Sequence, residues 1–243
     1  MVEIIEKKSV ASFCIIIPMY NEEKNVSICV KRICRFLSKV ENKCKLIVVD
    51  DGSSDQTPSK LNKLKKKYKN LIVVKHKSNL GYGAANKTGA YFANKKNYKY
   101  VLYMDADLTQ NNKYIFEFIK FMNKDIDFIK ATRYTSGGGS KGVSIFRKII
   151  SKGGNLLAGI FLRLPITDYT NGFRAIKTEL LINFENEENG FAYLIEEVNK
   201  LSKKVKSYAE VPYILSVRNN SHSKSKFTYS FDVFLSYLKW LIK

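Results

Sequence analysis

The sequence lacks the marks of several protein classes. Its 243 residues include only four cysteines, Cys14, Cys29, Cys34 and Cys44, with no C-x-x-C pair among them. A zinc site needs closer, paired ligands, so the four read as reduced core residues. No run approaches the ~20 apolar residues that span a bilayer. The charged stretch from Met1 to Lys8 and the short apolar run from Phe13 to Ile17 do not make a secretory leader. The chain is therefore expected in the cytoplasm or facing it. Histidine is scarce: His76 and His222 are not placed as a catalytic pair; His76 reads as structural or solvated, and His222 as a bland surface residue with a phosphate contact as the alternative. Acidic residues are few, 22 against 42 basic, for a net charge of +20. That excess favours anionic partners, whether nucleic acid, nucleotide-sugar or membrane surface. Much of it lies in solvated lysine runs from Lys60 to Lys69 and Lys95 to Lys99, so charge alone selects none of them.

What is present is ordinary globular material, 45% hydrophobic and 26% charged, long enough for one well-buried core. Short β-branched runs alternate with helical patterns through the first half, the signature of an α/β fold with a mostly parallel central sheet flanked by helices. Strands are expected over 13–18, 46–50, 71–74, 100–104 and 128–132, and helices over 24–38, 58–68, 83–94 and 113–122. The second half is less regular. Apolar residues recur at helical spacing over 143–164, with Gly153-Gly154 as an expected break or kink. A loop over 168–172, a helix over 191–201 and extended segments over 207–217 follow. An aromatic-rich amphipathic helix closes the chain, suited equally to a membrane interface and to core packing.

Four of the expected strands run directly into polar clusters: Pro18 to Glu22, Asp50 to Asp55, Asn79 to Gly83, and Asp105-Ala106-Asp107. In an open parallel sheet the carboxyl ends of the strands share one edge, where ligands bind. Asp105 and Asp107, at i and i+2 on an extended segment, point to one side and can hold a hard divalent cation, Mg²⁺ or Mn²⁺. Asp50 and Asp51 suit either a cap or a nucleotide contact, and Ser54 and Asp55 look more like caps. Gly81-Tyr82-Gly83 lacks the third glycine of a dinucleotide fingerprint, since Asn86 stands there.

These clusters resemble the glycosyltransferase family-two pattern on a GT-A, Rossmann-like fold. Thr132-Arg133-Tyr134, the glycine run after it, Arg147 to Leu157, and Asp168 to Arg174 narrow the resemblance to the dolichol-phosphate mannose synthases. The resemblance implies a catalytic domain over 1–226, with a nucleotide-sugar half to about 132 and an acceptor half from about 133, and a terminal helix over 227–243. It implies nucleotide contacts from Pro18, Tyr20, Glu22, Asp51 and Ala106. Asp105 and Asp107 would address the metal and diphosphate. Arg133, Arg147, Ser151 and Arg218 would gather at the acceptor phosphate, and Lys224 would lie in a closing segment. Two departures stand out. The glutamine that would be a further metal contact, expected two residues after the second aspartate, is displaced to Gln110 by Thr109, which leaves the third ligand open between them, and the closing segment carries Ser221 for glycine, with Ser225-Lys226 offering a second alignment.

The implied activity is inverting transfer of a hexose, favoured as mannose from GDP-mannose, to dolichyl or polyprenyl phosphate. Implied partners are a membrane surface on the cytosolic side and a small membrane-anchoring subunit. UDP-glucose is the close rival donor. A transferase acting on a glycan hydroxyl would use Asp168 as base, but a neutral acceptor gives Arg133, Arg147 and Arg218 no purpose. A basic nucleic-acid or membrane-surface binding protein would leave Asp105 and Asp107 unexplained, so no nucleic-acid partner is expected.

Overall fold

The computed structural model describes residues 11–40, 44–162, 164–182, 185–216 and 231–243. Its first half winds β1 (Phe13–Met19), α1 (Val26–Leu37), β2 (Lys45–Asp50), α2 (Thr57–Lys67), β3 (Leu71–Lys75), α3 (Tyr82–Lys95), β4 (Tyr100–Tyr103), α4 (Ile115–Met122) and β5 (Phe128–Thr132). The second half adds β6 (Gly139–Ser140), α5 (Ile145–Phe161), β7 (Arg174–Lys177), α6 (Tyr193–Leu201), β8 (Tyr208–Pro212), β9 (Ile214–Leu215) and α7 (Phe231–Ile242).

Seven strands form one sheet in the order β3-β2-β1-β4-β7-β5-β8, and β6 pairs with β9 beside it. All pairings within the larger sheet are parallel except those of β7, which runs antiparallel to both β4 and β5. The two halves therefore share a single sheet. β1 shows why its sequence is a continuous apolar run: both its faces are covered. Phe13, Ile15 and Ile17 pack with α1, α2 and α4 through Val30, Ile33, Leu61 and Phe118. Cys14 and Ile16 face the opposite layer, with Ala85 of α3, Ile195 of α6 and Trp240 of α7. All four cysteines are buried and free, as expected.

Two expectations are corrected. Residues 174–177 form a strand that was not foreseen, and α5 runs unbroken through Gly153-Gly154. Gly153 and Gly154 are exposed, and a Cβ on either would meet nothing within 4 Å, so they weaken the helix without bending it. Among the described residues no helix is long and apolar enough to cross a membrane.

Candidate active site

β4 delivers Asp105, Ala106 and Asp107 to the carboxyl edge of the sheet, where all three line a cavity of about 1520 Å³. Leu108 then takes a left-handed backbone, φ 64°, which is costly for a branched side chain and reverses the chain. The reversal sends the Gln110 side chain back onto Asp105. Its amide oxygen accepts from the Asp105 N–H at 2.9 Å, and its amide nitrogen donates to Asp105 Oδ2 at 2.7 Å. Gln110, expected as a metal contact, thus has both ends of its amide engaged on Asp105. Thr109, standing in the glutamine's usual place, donates to Asp107 Oδ1 from both its N–H, at 3.1 Å, and its hydroxyl, at 2.7 Å. The departure from the family pattern is thus absorbed locally, since each aspartate keeps an orienting partner.

Two further residues press on Asp105. The Tyr82 hydroxyl lies 3.5 Å from Oδ1, and burial together with the Asp105 charge raises its pKa, so it stays a donor. Gly172 comes so close that a Cβ there would meet the Tyr82 hydroxyl at 2.6 Å and Asp105 Oδ1 at 3.2 Å. Among the described residues no three His, Cys, Asp or Glu side chains converge as a metal cluster. Two carboxylates alone suit a hard cation that completes its shell with substrate oxygens and water.

Pro18, Tyr20, Glu22 and Asp51 line the same cavity, as the resemblance implied, but Asp50 does not. Asp50 is buried and accepts from the Ser53 N–H at 3.1 Å, a turn-capping role. Asp51 is occupied on both oxygens. Oδ1 meets His76 Nδ1 at 2.6 Å and the Leu80 N–H at 2.9 Å, while Oδ2 accepts from the Asn79 amide at 3.1 Å and the Gly81 N–H at 2.9 Å. It therefore ties β2 to the loop entering α3. His76 is structural, as expected, but not solvated, since its other nitrogen meets Thr88 Oγ1 at 2.9 Å.

Arg133, Arg147 and Ser151 line the same cavity. Arg133 grips Asp168 with two bonds, Nε to Oδ2 at 2.7 Å and Nη2 to Oδ1 at 2.8 Å. Burial alone would lower its pKa, but the Asp168 bonds and charge override that and raise it. Asp168 itself is 0% exposed. Asp168 does not line the cavity and has both oxygens on Arg133, so it does not stand where an acceptor hydroxyl would meet it. Arg133 Nη2 also donates to Ser151 Oγ at 3.2 Å, and the Tyr134 hydroxyl meets Ser151 at 2.8 Å. Arg147 is exposed on the same helix, one turn before Ser151. Arg218, His222 and Lys224 lie outside the described residues.

Charged residues that the sequence reading passed over hold the loop bearing Gly172. Lys130, fully buried on β5, donates to the Asn171 carbonyl at 2.7 Å, and burial lowers its pKa to about 7. Arg174 of β7 donates to the Gly172 carbonyl at 2.8 Å and pairs with Glu197 of α6, both partners 0% exposed. The one signal for this pair was a charge inside an otherwise apolar segment, and nothing linked residues 174 and 197.

The cavity continues from the aspartates into an apolar trough lined by Ile150 and Leu157 of α5, Leu194 of α6, and Phe234, Leu238 and Leu241 of α7. The outer face of α5 is anomalous. Ile145, Phe146, Ile149, Leu156 and Ile160 are 65–76% exposed, and among its residues only Asn155 and Ala158 are buried. α7, expected at the interface or in the core, lodges Trp240 and Leu241 in the core.

Comparison with known proteins agrees with this geometry. Residues 14–184 match the family described as Glycosyl transferase family 2. A dolichol-phosphate mannosyltransferase of Pyrococcus furiosus is 31% identical over 214 residues, 87% of this chain, and the chain spans only 58% of that relative's length. A polyprenol monophosphomannose synthase of Mycolicibacterium smegmatis is 28% identical over 86% of this chain and 79% of its own. Among solved structures, a mannosyltransferase of Pyrobaculum calidifontis bound to GDP-Man and Mn²⁺ shares the fold at TM-score 0.58 and 15% identity, covering 87% of this chain and 58% of its own. Glucosyl-3-phosphoglycerate synthase of Mycobacterium tuberculosis, bound to Mn²⁺ and UDP, does so at TM-score 0.62 and 19% identity, covering 88% of this chain and 73% of its own. The paired aspartates on a mostly parallel sheet and the match over most of the chain lead to one assignment: this chain belongs to glycosyltransferase family 2.

Proposed function

We propose that the chain transfers mannose from GDP-mannose, with inversion, to the phosphate of a polyprenyl or dolichyl lipid, with Mg²⁺ or Mn²⁺ as cofactor. The names of the two sequence relatives support the product class, and the GDP-Man and Mn²⁺ bound to the Pyrobaculum enzyme support the donor and metal. The observation that carries the reading is the cavity itself. Its lining combines the carboxylates of Asp105 and Asp107, the guanidinium groups of Arg133 and Arg147, and the apolar trough residues of α5, α6 and α7. A lipid phosphate has the same division of chemistry.

Asp105 and Asp107 hold the cation, oriented by Gln110 and Thr109. A cation held there would supply the positive charge that offsets the negative charge growing on the departing diphosphate. A phosphate monoester has its second pKa near about 6 and is already an anion at neutral pH, so the acceptor needs no general base. It needs directed cationic contacts, which arginine supplies. Arg147 supplies charge from the cavity wall. Arg133, already paired with Asp168, orients Ser151 toward the same place. The exposed apolar face of α5, with Lys148 and Lys152 beside it, lies in the surface of an anionic membrane and brings the trough to the lipid.

Replacing Arg147 with alanine tests the acceptor half directly. Transfer to polyprenyl phosphate is expected to fall by about 100-fold, with GDP affinity unchanged. Equal transfer by variant and parent would refute the assignment.

A further inference from the structure

The terminal helix does more than close the chain. Trp240 of α7 is only 1% exposed, and its indole N–H donates to Glu188 Oε1 at 2.9 Å. Its carbonyl accepts from the Asn199 amide at 2.6 Å, fixing α7 on α6. Lys239 and Lys243 both pair with Glu187. Two α7 side chains, with Lys243 just beyond the helix, thus hold residues 187–188 from one side. The buried Glu196 carboxylate holds them from the other, accepting the N–H groups of Glu187 at 2.7 Å and Glu188 at 2.8 Å.

The segment so held packs directly against the start of α3. The Asn189 carbonyl accepts from the Gly83 N–H at 2.7 Å, and Lys87 reaches Asn189 Oδ1 at 2.7 Å. There is no slack at this junction, since a Cβ on Gly83 would lie 2.7 Å from the Glu188 carbonyl oxygen. Two residues on, the Phe191 ring stacks on Tyr82 with centroids 4.9 Å apart and planes at 19°. Tyr82 is the residue whose hydroxyl faces Asp105. A contiguous set of bonded and stacked groups therefore runs from Trp240 through residues 188–191 to the metal-facing carboxylate.

We infer that α7 is a positioning element of the donor end, and that Trp240, acting through Glu188, is a positioning residue for binding of a metal-associated nucleoside diphosphate. The inference rests on the proposed reading that the donor occupies the Asp105 end of the cavity. Trp240 does not itself line that cavity, so its effect is relayed rather than made by contact.

The test is calorimetric titration of the full chain in detergent with GDP and, separately, UDP, each with Mg²⁺. Trp240→Phe keeps the aromatic fill but removes the N–H donor. It is expected to bind whichever nucleotide the parent binds about three- to tenfold more weakly, because only part of the lost hydrogen bond's contribution is relayed to the donor end. The donor KM should rise by the same factor while the KM for polyprenyl phosphate holds. Leu235→Ala, on the exposed side of the same helix, should match the parent. An unchanged Kd in Trp240→Phe, or equal rises in donor and acceptor KM, overturns the inference while leaving the donor reading intact. A parent that binds neither nucleotide overturns both. If Trp240→Phe does not fold, Glu188→Gln removes the charge from the other partner, and parent-like affinity there overturns the inference equally.

Discussion

Replacing Gly172 with alanine isolates the contact that presses on Asp105. Gly172 is not among the residues with a left-handed backbone, so alanine is tolerated by the main chain and any effect comes from the added methyl. That methyl would stand 2.6 Å from the Tyr82 hydroxyl, and 3.2 and 3.4 Å from the two Asp105 oxygens. Comfortable contact begins near about 3.5 Å, so the hydroxyl must retreat by roughly 1 Å. Tyr82 has Phe191 stacked on its ring and cannot yield freely. Overpacking of this kind costs about 1–3 kcal/mol, which for a chain of this size lowers Tm by no more than about 10 °C. The rate should suffer far more, because a shift of about 1 Å at a reacting centre costs about 100-fold. The assay is transfer of labelled sugar into an organic-extractable product, read beside a melting curve. The expected result is a folded protein with a rate down about 100-fold. A variant that melts a little lower and keeps the parent rate would refute the role given to Gly172.

Other perturbations have equally definite outcomes. Glu197→Gln leaves Arg174 charged and unpaired in a site with no exposure, so stability should fall by about 3–5 kcal/mol; an unchanged Tm by scanning calorimetry would contradict this. Lys130 has its pKa lowered by burial from the ordinary 10.5 to about 7. Between those values the unfolded state binds the extra proton, so this group's contribution to stability rises with pH across that window and is lost below it. The Tm of Lys130→Met should therefore climb less than the parent's between about pH 7 and pH 9, and parallel curves would rule the effect out. Ile149→Asp places a charge on the exposed face of α5 and should abolish co-sedimentation with anionic vesicles at low salt. Undiminished binding would show that α5 is not the inserting face.

The first five strands were legible because each is a short run rich in apolar residues, buried throughout or nearly so except in the edge strand β3, that leads into polar residues. Their ends converged as parallel topology requires, which is why Asp105 and Asp107 could be singled out from sequence alone. β7 was not legible. Its four residues begin and end with a cation, Arg174 and Lys177, and such a pattern reads as surface rather than as a strand between β4 and β5. The buried charges escaped for a related reason: Arg174 meets Glu197, and Asp51 meets His76, across distances in the chain that no local pattern spans. Periodicity found both α5 and α7 but could not say what covers them. Tryptophan and leucine of α7 proved to face the core, while the apolar stripe of α5 proved to face outward. Gln110 shows a finer limit. Its place beside Asp105 and Asp107 was readable, but the reversal at Leu108 that turns its amide onto Asp105 was not.

The central claim is metal-dependent sugar transfer to a lipid phosphate, and one measurement addresses it most directly. Labelled GDP-mannose and, in parallel, labelled UDP-glucose are incubated with polyprenyl phosphate and Mg²⁺ or Mn²⁺, with and without chelator, and the organic phase is counted. The account predicts labelled lipid from GDP-mannose that disappears with chelator and with Asp107→Asn. Label that stays in the aqueous phase under every metal condition, while the protein still binds GDP, would contradict it.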